Sequence, residues 1–203
     1  MKSGDRRTHI LKHAAILFGD KGYHNTSITD IVTASGVARG TFYLYFANKR
    51  KIFDELVDGL LLRITSCIQI VDTGPEAISP RQQLEDNLVR VFVLLHDEKY
   101  LLSILLKGAV GLDQDTEDKL KDFYAEILQS IKNALELGQQ LGLVREFNTT
   151  IGAVAATGTI KEVLLTGLHA GSSSDAELEI RQYAAAILDI FSKGVLKDGV
   201  SIP

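Results

Sequence analysis

The 203-residue chain has a single cysteine, Cys67, and that alone removes several possibilities. One thiol forms no intramolecular disulfide and no cysteine-based zinc cluster, and it suits a reducing cytosol. No uninterrupted apolar run approaches the roughly 18 residues that cross a bilayer. The first residues, "MKSGDRRTHILKHAAILFGDKG", lack the apolar core of a signal peptide because His9, Lys12 and His13 interrupt it. A cytoplasmic protein without a membrane anchor is therefore expected. There is no β-hairpin signal, internal repeat or low-complexity tract. The body of the chain also lacks a nucleophile–base set, a metal cluster and a Gly-rich phosphate loop, so no enzyme, cofactor or metal is expected. His9 and His13 stand one helical turn apart, but no carboxylate or cysteine completes a ligand set, and they read as a solvated helix face.

What the chain has is a lopsided charge. Residues 1–51 carry nine Lys/Arg against three Asp, a charge of +6. The remainder carries 13 basic and 23 acidic residues, a charge of −10. A basic head on an acidic body points to a polyanion-binding module joined to a domain with another task.

Helical periodicity runs through the whole chain. Ile10, Ala14, Leu17 and Phe18 share one face of a helix over 6–22 that Gly22 stops. Ser27 opens a second helix with Asp30 three residues on, in a capping-box arrangement, and Gly36 suits its left-handed stop. Asn48 caps a helix bearing Ile52, Leu56 and Leu60, expected to run to about Asp72, where "DTGPEAISP" breaks the pattern. Helices follow from Arg81, over "YLLSILLKGAVG", over 113–142, over 148–171 and over 174–193. With the short helix discussed next, the expectation is an all-α chain of about nine helices.

The stretch "GVARGTFYLYF", residues 36–46, has strand-like composition and even alternates hydroxyl-bearing and plain side chains. A lone strand among helices would have no partner, so the helical reading is preferred. Helix 27–35, a turn centred on Gly36 and Val37, and a helix over 39–45 then form a helix-turn-helix. Phe42 and Phe46, one turn apart, anchor the second helix inward. Arg39 at its start suits a bidentate pair with guanine, Gly40 allows close backbone approach, and Thr41 offers a methyl and a hydroxyl to base edges. Tyr43, Tyr45 and Lys49, with Ser27 and Thr29 on the preceding helix, suit phosphate contact.

The run "GYHNTSITDIVTASGVARGTFYLYFANKRKIFDEL" resembles the DNA-binding domain of the TetR family of bacterial transcriptional regulators. The resemblance covers about residues 6–60 and rests on Phe18, Gly22, Thr26, Ile31, Gly36, Val37, Gly40, Thr41, Tyr43, Tyr45, Phe46, Asn48 and Lys49. Two positions depart from the pattern. Val32 stands where a small residue is usual, and Ala38 stands where serine or threonine caps the recognition helix. The resemblance implies a homodimer with an N-terminal three-helix helix-turn-helix domain, placed at 1–50, and a helical effector-binding and dimerisation domain, placed at 51–203. It implies a sequence-specific regulator, a repressor on double-stranded operator DNA that a small effector releases.

In the body, apolar richness favours a hydrophobic or amphipathic effector, and Phe92, His96, Leu105, Phe123, Tyr124 and Ile127 are its candidate contacts. Small residues Gly152, Ala155, Ala156 and Gly158 would let helices approach closely. Ile180, Tyr183, Ala184, Ile187, Leu188 and Phe191 form a stripe on the last helix. With the resemblance, two such helices per subunit make a four-helix dimer bundle.

Overall fold

The computed structural model describes residues 3–106, 114–167 and 176–193. Among them are nine α-helices and no strand: α1 Ser3–Lys21, α2 Ile28–Ser35, α3 Arg39–Tyr45, α4 Lys49–Cys67, α5 Pro80–Asp97, α6 Lys99–Leu106, α7 Gln114–Gln140, α8 Thr149–Gly167 and α9 Ala176–Lys193. The all-α expectation holds, including the helical state of residues 39–45.

The chain divides into two compact units. The first comprises Met1–Ser66 and Leu94–Leu120. Its core is built from Ile10, Ala14 and Phe18 of α1, Ile31 of α2, Phe42 of α3, and Ile52, Phe53, Val57 and Leu60 of α4, all buried. The rings of Phe18 and Phe53 meet edge to face with centroids 5.9 Å apart. Helix α1 packs against both α2 and α6. Gly19 makes the second contact possible, since a Cβ there would stand 2.8 Å from the Cβ of Tyr100.

The second unit comprises Cys67–Val93 and Lys121–Pro203. Its buried apolar residues include Val89, Phe92, Phe123, Ala153, Leu164, Ile180, Ala184 and Ile187, and α8 packs on α9. Helix α4 ends at Cys67, five residues before the expected Asp72. Side chains from α5 take over the backbone groups that continued helix would have used. Arg90 Nε donates to the Cys67 carbonyl at 3.0 Å. Asn87 accepts from the Gln69 amide and donates to the Gln69 carbonyl, both at 2.8 Å. Buried amide exchange of this kind competes directly with the helical i→i−4 bonds.

Candidate nucleic-acid interface

The short helices of the basic head are held by side chains that bond to backbone. Thr26, buried to 1% exposure, has its hydroxyl 2.9 Å from the Gly22 carbonyl and 3.2 Å from that of Leu17. Ser27 and Asp30 form the capping box in both directions. The Asp30 amide donates to Ser27 Oγ at 3.1 Å, and the Ser27 amide donates to the Asp30 carboxylate at 2.8 Å. The Ser27 hydroxyl donates to the same carboxylate at 2.6 Å. These bonds from the Ser27 hydroxyl and amide, with Lys21 nearby, hold the Asp30 carboxyl below its ordinary range. Gly36 closes α2 with φ +63°, a conformation that side chains with a Cβ rarely adopt. Ala38 enters α3 without any side-chain cap bond, as its departure from the family pattern implied. Asn48 caps α4 by accepting from the Lys51 amide at 2.9 Å.

Helix α3 divides cleanly into two faces. Phe42 and Phe46 are buried, and Arg7 lies over the Phe46 ring, 5.2 Å from its centroid, while pairing with Glu55 of α4. Arg39, Gly40, Tyr43 and Leu44 are exposed, and the Arg39 guanidinium rests 5.9 Å from the centroid of the Tyr43 ring. Thr41 and Tyr45 are half-buried at the flanks of this outward face. Ser27 and Thr29 are exposed at the start of α2.

Two details were not anticipated from the sequence. Leu44 is 82% exposed in the middle of the outward face. The signal was present, because Leu44 lies across the helix from Phe42 and Phe46. Lys49, expected to be a phosphate contact, turns inward. Its ammonium donates to the carbonyls of Tyr23 at 2.7 Å and Thr26 at 2.8 Å and sits 4.3 Å from the Tyr23 ring centroid. Partial burial lowers its pKa from the ordinary lysine value. In this structure Lys49 ties the loop before α2 to the start of α4.

The effector candidates fall in different units. His96 lies in the first and is half-buried. Leu105 lies in α6 at a position whose side chain is outside the described residues. Phe92, Phe123, Tyr124 and Ile127 lie in the second unit, the first two buried and the others half-buried. Burial raises the Tyr124 phenol pKa, and Lys161 Nζ stands 5.6 Å from its ring centroid.

The expected dimer stripe separates into inward and outward members. Ile180, Ala184 and Ile187 are buried in the subunit's own core, so they present no free surface. A Cβ on Gly152 would strike the Phe147 ring and come within 3.1 Å of Leu135, so its smallness serves packing within the subunit. Ala156, Tyr183 and Leu188 are half-buried, whereas Ala155, Gly158 and Phe191 are exposed. Beside them lie the exposed Ile151 and Val154, which the small-residue pattern had passed over. No helix among the described residues is long and apolar enough to cross a membrane.

Residues 10–56 match the model for bacterial regulatory proteins of the tetR family. Over 203 residues, covering 98% of this chain and 96% of the relative, the chain is 28% identical to the HTH-type transcriptional regulator YdgC of Bacillus subtilis strain 168. It is 26% identical over 192 residues to the HTH-type transcriptional repressor KstR2 of Rhodococcus jostii strain RHA1, covering 93% and 91% of the two chains. Its fold is similar to that of the transcriptional regulator FadR from Bacillus subtilis, solved in complex with stearoyl-CoA. That likeness has a TM-score of 0.67 at 22% identity and covers 93% and 99% of the chains.

Proposed function

The chain belongs to the TetR family of bacterial transcriptional regulators, and on that premise we propose that it is a homodimeric repressor that binds one operator sequence and leaves it on binding an amphipathic effector. Its relatives regulate transcription and are not enzymes.

The observation that carries the DNA-binding part is the outward face of α3. Arg39, Gly40 and Tyr43 stand exposed on a rigidly anchored helix in a head of charge +6. Arg39 reads a base edge, Tyr43 and the flanking Thr41 and Tyr45 complete the groove contact, and Ser27 and Thr29 lie against the phosphates. Residues 1–50 form the DNA-binding domain and 51–203 the effector-binding and dimerisation domain. The working place is the cytoplasm, where the operator is.

Dimerisation is supported by the outward stripe of α8, Ile151, Val154, Ala155 and Gly158, with Phe191 and Ile190 exposed on α9. Small and apolar residues at three-and-four spacing leave a surface that another copy of the same helices can cover. For the effector, the apolar Phe92 and Phe123 beside the half-buried Tyr124 favour a molecule with a long apolar part and a polar end. The stearoyl-CoA held by FadR is of that class. Effector binding changes the separation of the two recognition helices, and a pair of sites one helical turn apart tolerates little such change.

The test is selection of duplexes from a random pool by the full-length chain. One near-palindromic motif is expected, and Arg39→Ala should weaken binding to it by ~1–3 kcal/mol while relaxing the preference at one base. Equal binding to all duplexes, with only the salt dependence of phosphate contact, would overturn the reading. Stearoyl-CoA added to the complex should release the motif; full retention at saturating probe would reject this effector class.

A further inference from the structure

The apolar side chain at the centre of α3's outward face has no role in holding the head together. Successive residues on an α-helix turn by about 100°, which puts Leu44 about 180° from the mean direction of Phe42 and Phe46. Those two rings are buried at 0% and 2% exposure, so they define the inward direction, and Leu44, at 82% exposure, points directly away from the core. One turn earlier on the same line is Gly40, where an added Cβ would meet nothing within 4 Å. The head therefore does not need a glycine there for its own packing, and the bare backbone lets whatever faces α3 come close to Leu44. What faces α3 is set by charge, since the head carries +6 and Arg39 stands exposed at the start of the same helix.

Given the reading of α3 as the DNA-reading helix, on which this inference rests, we propose that Leu44 reads a thymine in each half-site through its 5-methyl group. The floor of the major groove is polar at every base pair except where thymine presents that methyl, which is the one apolar feature a leucine can recognise there. Any other base opposite Leu44 would leave the side chain covering hydrogen-bonding groups that have lost their water. Leu44 is thus a specificity residue that adds to Arg39, and it selects thymine where Arg39 selects guanine.

The experiment uses the full-length chain and the duplex obtained by selection. Each thymine is replaced in turn by deoxyuridine, which removes only the methyl, at both symmetry-related positions together. For the wild-type chain one thymine pair should lose roughly fourfold in affinity per half-site, the equivalent of burying one methyl group. Leu44→Ala should bind the thymine and uracil duplexes equally, with its thermal stability unchanged because the side chain is 82% exposed. Insensitivity of the wild type to every replacement, or an equal loss in Leu44→Ala, would overturn the inference while leaving sequence-specific binding by α3 intact. If the selection yields no motif at all, the functional reading and this inference fall together.

Discussion

The stretch from Tyr23 to Lys51 and the pair α8–α9 leave opposite kinds of surface exposed. In the former, polar side chains cross the chain to reach backbone: Thr26 to Leu17, and Lys49 to Tyr23 and Thr26. What remains outside is mainly polar, cationic or small, and Leu44 is the one large aliphatic side chain exposed there. In α8, the hydroxyls of Thr157, Thr159 and Thr166 donate to carbonyls four residues earlier, while Thr149 at the helix start reaches Glu136 of α7 at 3.2 Å. There the exposed residues include Ile151 at 67% and Val154 at 55%. The head leaves a mainly polar, cationic surface that a polyanion can meet, whereas α8 and α9 leave apolar area that water solvates poorly and another protein surface can cover.

The comparison can be broken most severely at α8. The double substitution Ile151→Asp with Val154→Asp should convert the proposed dimer to monomer, because uncompensated carboxylates in a covered apolar interface cost more than about 3 kcal/mol. Sedimentation should show the loss of mass, and circular dichroism should show unchanged helix content because both positions are exposed in the subunit. A dimer that survives at the same concentration would move the interface elsewhere.

Lys49 tests whether the head's polar groups work inward or outward. Lys49→Ala removes a charged donor from two carbonyls and should lower stability by about 2 kcal/mol, discounted for partial exposure, which urea denaturation would register. Unchanged stability with uniformly weaker DNA binding would return Lys49 to the phosphate contacts expected from its position in the motif.

The smallest effect is the most diagnostic one. Gly40→Ala should stabilise the head by up to ~1 kcal/mol, since alanine favours helix and the site is open. The same change should weaken binding to the selected duplex. A variant that is more stable and binds equally well would show that DNA does not approach α3 at Gly40.

How much was legible in the sequence follows the same division. The capping box at Ser27 and Asp30, the left-handed turn at Gly36, the missing cap at Ala38 and the Asn48 cap are local, and each is present as the residues implied. They depend on interactions among neighbours within four residues, which a sequence displays directly. The end of α4 at Cys67 was not legible locally, because Arg90 and Asn87, some twenty residues away, bond the backbone at and just beyond it. The packing of Gly152 was not legible, because smallness has the same appearance whether it accommodates Phe147 of the same chain or a helix of another.

The sequence by itself thus determined the helical class and the turn geometry, since periodicity, caps and a left-handed glycine act over one or two turns, and its head carries the family resemblance. Only the tertiary structure decided which way each side chain faces once helices pack. Lys49 was drawn inward by carbonyls more than twenty residues distant, Ile180, Ala184 and Ile187 were taken into the subunit core, and Leu44 was turned out. Those outcomes depend on long-range contacts that no local pattern encodes, because burial is a property of the neighbours a residue acquires on folding.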